Sequence, residues 1–233
     1  MSMDNETLSQ FLDTLDRFVR ERLIPCETEV AENDAIPQAL AEEIRNMGLF
    51  GMSIPEAFGG LGLTMSEEVK AAFILGQASP AFRSLFGTNN GIGSQGIIID
   101  GTPEQREHYL PRLATGELIS SFALTEPDAG SDAGSLSTSA KRDSEHFVIN
   151  GTKRYITNAP LAGLFTVFAR TKPGTKGSSG VTAFLVDGTT PGISFGARDR
   201  KMGQKGSQTC DVIFQDVRVH ESSIIGGPEF ENK

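Results

Sequence analysis

The hydrophobic periodicity of this chain changes once, near residue 118, and that change constrains the fold more than any other feature. Before it, apolar residues recur at helical spacing. Leu8, Phe11, Leu12, Leu15, Phe18, Val19 and Leu23 lie on one stripe of a 3.6-residue helix. Pro25 is expected to end or kink that helix. A second helix is predicted from Pro37 to Met47, with Leu40, Ile44 and Met47 on one face and Gly48 as its stop. Thr64-Met65-Ser66-Glu67 and Thr102-Pro103-Glu104-Gln105 both fit capping boxes, so two further helices start there. The last runs through Tyr109 and Leu113 to Gly116.

From about Ile119 the pattern is that of strands. Phe147-Val148-Ile149, Asn150-Gly151 and Thr152 to Ile156 predict a hairpin, because Asn-Gly suits a type I′ turn. Phe165 to Arg170 and Thr182 to Val186 read as strands, and Asp211 to Val219 alternates with a bulge. The expected fold class is α+β: a helical domain over 1–118, then a small β-barrel-like domain over 119–233. Segregated helices and strands argue against a parallel Rossmann sheet.

Composition narrows the function. Thirty acidic residues against 21 basic give a net charge of −9, which disfavours nucleic acid and anionic membranes as partners. No run approaches the roughly 18 apolar residues of a membrane span. The acidic N-terminus resembles neither a signal peptide nor a transit sequence, and Cys26 and Cys210 form no disulfide framework, so a cytoplasmic location is expected.

Several motifs fail on context. Gly91-Ile92-Gly93-Ser94-Gln95-Gly96 matches a dinucleotide fingerprint but follows a helix instead of a strand; close packing against small residues explains it better. There is no Gly-Lys dipeptide and no G-x-S-x-G elbow. His108, His146 and His220 are far apart in sequence and suggest no metal site. Glu126, Asp128 and Asp132 lack cation-loop spacing and are expected in capping and turn roles.

The stretch Phe122-Ala123-Leu124-Thr125-Glu126-Pro127-Asp128-Ala129-Gly130-Ser131-Asp132 is the most informative. A strand runs into a turn of small polar residues, which can present successive N–H groups and the Ser131 hydroxyl to an anion. Leu124 and Thr125 stand where a ring system could take main-chain hydrogen bonds. This stretch resembles the signature of the acyl-CoA dehydrogenase family. So do Gly151-Thr152-Lys153-Arg154-Tyr155-Ile156-Thr157-Asn158 and Lys201-Met202-Gly203-Gln204-Lys205-Gly206-Ser207-Gln208-Thr209, as well as Gly101-Thr102-Pro103-Glu104-Gln105.

The resemblance implies FAD as cofactor and an acyl-CoA thioester as substrate. The implied reaction is α,β-dehydrogenation, with hydride passing to flavin N5 and electrons then passing to an electron-transfer flavoprotein. It places Phe122, Leu124, Thr125, Gly130, Ser131, Tyr155, Ile156 and Thr157 at the cofactor and Ser131, Ser207, Gln208 and Thr209 along the acyl-CoA. Tyr155 stands where the family often has Trp. Gln208 and Cys210 replace a frequent Asp and Arg, which removes two charges. The family's C-terminal helical bundle, with its catalytic glutamate, has no counterpart in 1–233, so the expectation is a chain not competent alone; the whole enzyme is expected to be a homo-oligomer. Two other readings stay open: an acyl-CoA oxidase or flavin monooxygenase-like relative, and a non-catalytic binding module of the same fold.

Overall fold

A computed structural model describes residues 3–231. The helices are α1 (Asn5–Phe18), α2 (Ile24–Asn33), α3 (Gln38–Asn46), α4 (Met65–Leu75), α5 (Pro80–Asn90), α6 (Gln95–Asp100) and α7 (Pro103–Ala114). The strands are β1 (Ser120–Ala123), β2 (Ser139–Asp143), β3 (His146–Thr157), β4 (Leu164–Arg170), β5 (Val181–Asp187), β6 (Ile193–Phe195) and β7 (Thr209–His220). The sheet order is β1-β4-β2-β3-β7-β6, with β5 also paired to β4. β1 and β4 are parallel and the hairpin-type pairs are antiparallel. One strand thus serves β1, β5 and, at its last residue, β2. That branching curls the mixed sheet into a half-barrel, the α+β class expected.

Pro25 does not end the first helix. Residues Val19–Leu23 form a π turn, with the Ile24 N–H donating to the Val19 carbonyl, and α2 continues beyond it. The wider turn relieves the clash between a proline ring and the carbonyl four residues back, so the chain absorbs the proline. Leu15, Val19 and Leu23 remain fully buried through the change. Both capping boxes form as expected, at Thr64 with Glu67 and at Thr102 with Gln105.

The Asn150-Gly151 hairpin is also corrected. β3 runs straight through both residues, and the register against β7 shifts there as a bulge. The Asn150 amide donates to Asp216 Oδ1 at 3.1 Å, and its oxygen accepts the Asp216 N–H at 2.9 Å. A bulge uses the same permissive residues as a tight turn. A Cβ on Gly151 would overlap Thr138. The actual reversal between β2 and β3 is Ser144–Glu145, with Ser144 at φ +56°.

One apolar cluster fills the helical half and another the sheet. A third joins them, with Ile54, Ile97, Leu110 and Leu113 against Leu164 and Leu185. Three amide side chains rivet this junction. Buried Asn89 donates to the Leu113 and Leu118 carbonyls (2.9 and 2.8 Å) and accepts from the Ser120 N–H (2.9 Å). Asn158 donates to the Ser84 and Leu85 carbonyls and Thr88 Oγ1. Gln105, besides capping α7, donates to the Ser222 and Ile224 carbonyls. The glycine-rich run at 91–96 links α5 to α6 and enters the first turn of α6, and a Cβ on Gly93 would overlap Ser120. Close packing therefore accounts for it. Among the described residues no helix is long and apolar enough to cross a membrane.

Asn89→Ala strands the Leu118 carbonyl and the Ser120 N–H and takes one donor from the Leu113 carbonyl, so unfolding free energy in urea should fall by about 1–3 kcal/mol. A loss below about 0.5 kcal/mol, the range of ordinary surface substitutions, would remove Asn89 from this role.

Candidate functional site

Residues far apart in sequence meet where β1 ends beside the last turn of β3. Ser121 Oγ donates to the Thr157 carbonyl at 2.7 Å. The Arg154 N–H donates to the Thr125 carbonyl at 2.8 Å, and Lys153 Nζ donates to the Leu124 carbonyl at 3.1 Å. Thr157 pairs in register with Thr209 on β7, and the Asn158 N–H donates to the Gln208 carbonyl. The structure therefore assembles residues 121–126, 153–158 and 208–209 into one face.

A buried ion pair holds this face. Lys153 Nζ lies 2.8 Å from Glu126 Oε1, with side-chain exposures of 0% and 3%. Glu126 also accepts the Ser137 N–H and hydroxyl (2.6 and 2.7 Å) and the Thr138 N–H (2.9 Å). Burial works to raise the Glu126 pKa. The Lys153 ammonium and the donors from Thr138 and Ser137 outweigh it and hold the carboxyl down at about 2. Burial pulls the Lys153 pKa down, and the Glu126 carboxylate opposes that pull. With four donors converging on the carboxylate, the pair is charged. The sequence predicts only a capping or turn role for Glu126; its pairing with Lys153 is not legible there, because 27 residues separate the two.

Tyr155 departs from its strand. Its φ is +57°, inside the register shift between Lys153 and Ile156, and its side chain is 59% exposed. A left-handed aromatic residue costs about 1–3 kcal/mol, and such strain gathers at functional sites. The bulge turns the ring outward, with the Arg154 guanidinium 4.7 Å from its centroid. Arg154 in turn contacts Asp211 at 2.8 Å. Ile156 points the other way, into the sheet core.

Phe122 packs against Phe168, ring centroids 5.0 Å apart, and lines a cavity of about 210 Å³ with Ile92, Thr166 and Ile225. Thr157 lines a cleft of about 290 Å³ with Arg83, Ser84, Thr88 and Ile92. Both cavities border Ile92.

The turn after β1 is pinned by a bridge between Glu126 and Ala129 and then opens to solvent. Gly130 and Ser131 are exposed there, and their N–H groups meet no acceptor among the described residues. A Cβ on Gly130 would touch nothing within 4 Å, so the fold itself does not require this glycine. Ser131 is not hydrogen-bonded to the 207–209 stretch among the described residues. Ser207 is buried, its carbonyl held by Lys201. Gln208 lines a cavity of about 250 Å³ with Ile36, Ala41, Arg45 and Leu161, and its buried Oε1 has no partner among the described residues. Cys210 lies in the sheet core, where burial, then Asp199 and Asp211, push its thiol pKa up. His146 and His220, remote in sequence, stand directly opposite on β3 and β7 with ring centroids 5.2 Å apart.

Residues 5–117 match the model for the acyl-CoA dehydrogenase N-terminal domain, and residues 121–217 match that for the acyl-CoA dehydrogenase middle domain. An acyl-CoA dehydrogenase of Bacillus subtilis is 35% identical over 209 residues, covering 90% of this chain and 55% of that protein. Butyryl-CoA dehydrogenase from Megasphaera elsdenii superposes with a TM-score of 0.90 at 30% identity, covering 100% of this chain and 61% of that one. A glutaryl-CoA dehydrogenase from Mycobacterium smegmatis, solved in complex with FADH2, gives 0.83 at 32% identity, covering 95% and 55%. The chain thus spans little more than half the length of these relatives.

Glu126→Gln leaves the Lys153 ammonium buried without its counter-ion and should cost about 3–5 kcal/mol in urea unfolding, while Glu126→Gln/Lys153→Met should recover part of that loss. A single-variant loss under about 1 kcal/mol, the surface-pair range, would refute the charged pair. The pH dependence has a definite sign. A folded pKa near 2, below the ordinary 4.5, contributes stability that is complete above about pH 5 and lost as pH falls toward 2.

Proposed function

We propose, for a chain that belongs to the acyl-CoA dehydrogenase family, that the face built from 122–131 and 154–157 holds FAD for the α,β-dehydrogenation of an acyl-CoA thioester. The observation that carries this reading is the junction of Thr125 with Arg154 and of Ser121 with Thr157, which sets two flavin-type segments side by side. The residues fit the cofactor on three counts. A Cβ on Gly130 would meet no protein atom within 4 Å, so the fold leaves open space beside its backbone. The N–H groups of Gly130 and Ser131 meet no acceptor among the described residues, which leaves them open to an anion. The Tyr155 ring is turned outward at a backbone cost, ready to stack.

FAD, when bound, supplies the hydride acceptor; the protein supplies position and electrostatics. We assign Gly130 and Ser131 to its pyrophosphate, and Phe122, Leu124, Thr125, Tyr155, Ile156 and Thr157 to its ring system, Ile156 acting from the core by fixing the bulge. Ser131, Ser207, Gln208 and Thr209 are assigned to the acyl-CoA side, where Gln208 brings an unpartnered carboxamide oxygen. The proton-abstracting carboxylate is assigned to no residue of this chain. An electron-transfer flavoprotein is the proposed acceptor of electrons. The helical and β units divide at 118/119 in this reading, and the free thiols of Cys26 and Cys210 support a reducing, cytoplasmic setting.

The test is flavin retention. The purified chain is mixed with FAD, passed through gel filtration and read for visible flavin absorbance. Gly130→Ala should leave the melting temperature unchanged and lower FAD affinity by about ten-fold, or 1.4 kcal/mol. Tyr155→Gly relieves the left-handed strain, so it too should keep its melting temperature while weakening flavin binding. Wild-type protein that emerges colourless, or a Gly130→Ala variant that binds FAD as well as wild type, contradicts the assignment.

A further inference from the structure

The turn that carries Gly130 and Ser131 is anchored at two points, and the second anchor is a residue outside all the family-type motifs. At the near end, Glu126 takes the N–H groups of Ser137 and Thr138. At the far end, the Arg170 guanidinium takes the carbonyls of the same stretch. Its Nη2 donates to the Gly134 carbonyl at 2.8 Å and the Leu136 carbonyl at 3.3 Å. The other donors reach into the loop after β4. Nη1 binds Thr175 Oγ1 at 2.9 Å and the Ser179 carbonyl at 3.0 Å, and Nη2 also reaches the Gly177 carbonyl at 3.3 Å. The two segments touch closely at this point. A Cβ on Gly134 would come within 2.9 Å of Gly177 Cα.

Every acceptor of Arg170 is neutral, and among the described residues the guanidinium joins no salt bridge. The side chain therefore uses its planar, multi-donor geometry as a clamp instead of pairing its charge. It sits at the last residue of β4, whose N–H is fixed by the Thr138 carbonyl at 2.7 Å. The clamp is rigid on the sheet side and ties two exposed loops on the other.

We propose that Arg170 is a positioning residue for the turn at Gly130–Ser131: it locks 132–136 against 172–180 and so fixes the N–H groups that face a diphosphate. This rests on the assignment of Gly130 and Ser131 to the FAD pyrophosphate. Arg170 itself touches no ligand. It acts through the backbone carbonyls of Gly134 and Leu136.

Two measurements on Arg170→Gln decide the matter. In hydrogen exchange, the bonded amides of the two clamped segments, Ser135 and Leu136 on one side and Lys172 and Val181 on the other, should lose protection together. Unchanged protection at Ser135 and Leu136 overturns the proposal. In flavin binding, FAD affinity should fall about ten-fold while riboflavin, which lacks the diphosphate, changes by less than about two-fold. A merely structural role would weaken both ligands alike, and an equal loss, or no loss for FAD, overturns the proposal. Arg170→Lys keeps the charge without the fork, so it should restore little of the FAD affinity; should Arg170→Gln lose cooperative unfolding, the lysine variant carries both measurements. If wild-type protein takes up neither flavin, the FAD reading fails on its own, and exchange at Ser135 and Leu136 alone decides whether Arg170 positions the turn.

Discussion

The pair between Glu126 and Lys153 is the constraint on which the site depends. β1 is only four residues long and could not by itself fix the path of the chain beyond it. The chain leaves the sheet after Ala123, and the next residues have no ladder to guide them. Glu126 and Lys153 replace the ladder. The carboxylate gathers the start of β2 through Ser137 and Thr138, and the ammonium gathers the Leu124 carbonyl and β3. Desolvating two charges is expensive, and isolated pairs of this kind rarely add net stability. Here the pair ties three segments together, bonding backbone groups at Leu124 and at Ser137–Thr138 from a lysine on β3, so its contribution lies in fixing one arrangement of them. Exposed Gly130, Ser131 and Tyr155 can then stand at the surface without a core of their own.

The junction of the two halves obeys a related logic. Helices and sheet meet over an apolar cluster, but their relative position is set by amides. Asn89 and Gln105 each bind backbone groups of more than one element, and Asn158 reaches from the end of β3 to Ser84, Leu85 and Thr88 on α5. An apolar interface tolerates sliding; a buried amide with three or four partners does not, because each lost partner costs free energy. The cleft beside Thr157 lies on this junction, between α5 and β3. Its shape is therefore set by the same asparagine that caps β3.

What the sequence made legible was local. The helical stripe at Leu15, Val19 and Leu23, the capping boxes at Thr64 and Thr102, and the alternation on β7 all depend on neighbours within a few residues. One element left open and one misjudged were local signals with two physical solutions. Pro25 can end a helix or be accommodated by a π turn, and Asn150-Gly151 can form a hairpin or a bulge. Choosing between them needs the partner strand or the packing face, which the sequence does not display. The site divided similarly. Its backbone-presenting turn was visible as a cluster of small polar residues. The side chains that hold that turn were not: Glu126 meets Lys153 across 27 positions, Asn158 meets Ser84 across 74, and Arg170 meets Leu136 across 34. No spacing rule announces such partnerships, since they exist only once the sheet has curled.

The bulge at Asn150-Gly151 also bears on how the chain ages. An Asn-Gly step in a mobile turn is prone to deamidation, because the glycine N–H can fold back onto the side-chain amide. Here both ends of the Asn150 amide are engaged by Asp216, and the glycine after it is paired within the ladder between β3 and β7. The reactive conformation is accessible only when these strands part. Conversion to aspartate would then set a second carboxylate against Asp216 and replace the attraction that closes the bulge with repulsion. The accumulation of that product would record how often the longest strand pair in the molecule comes open.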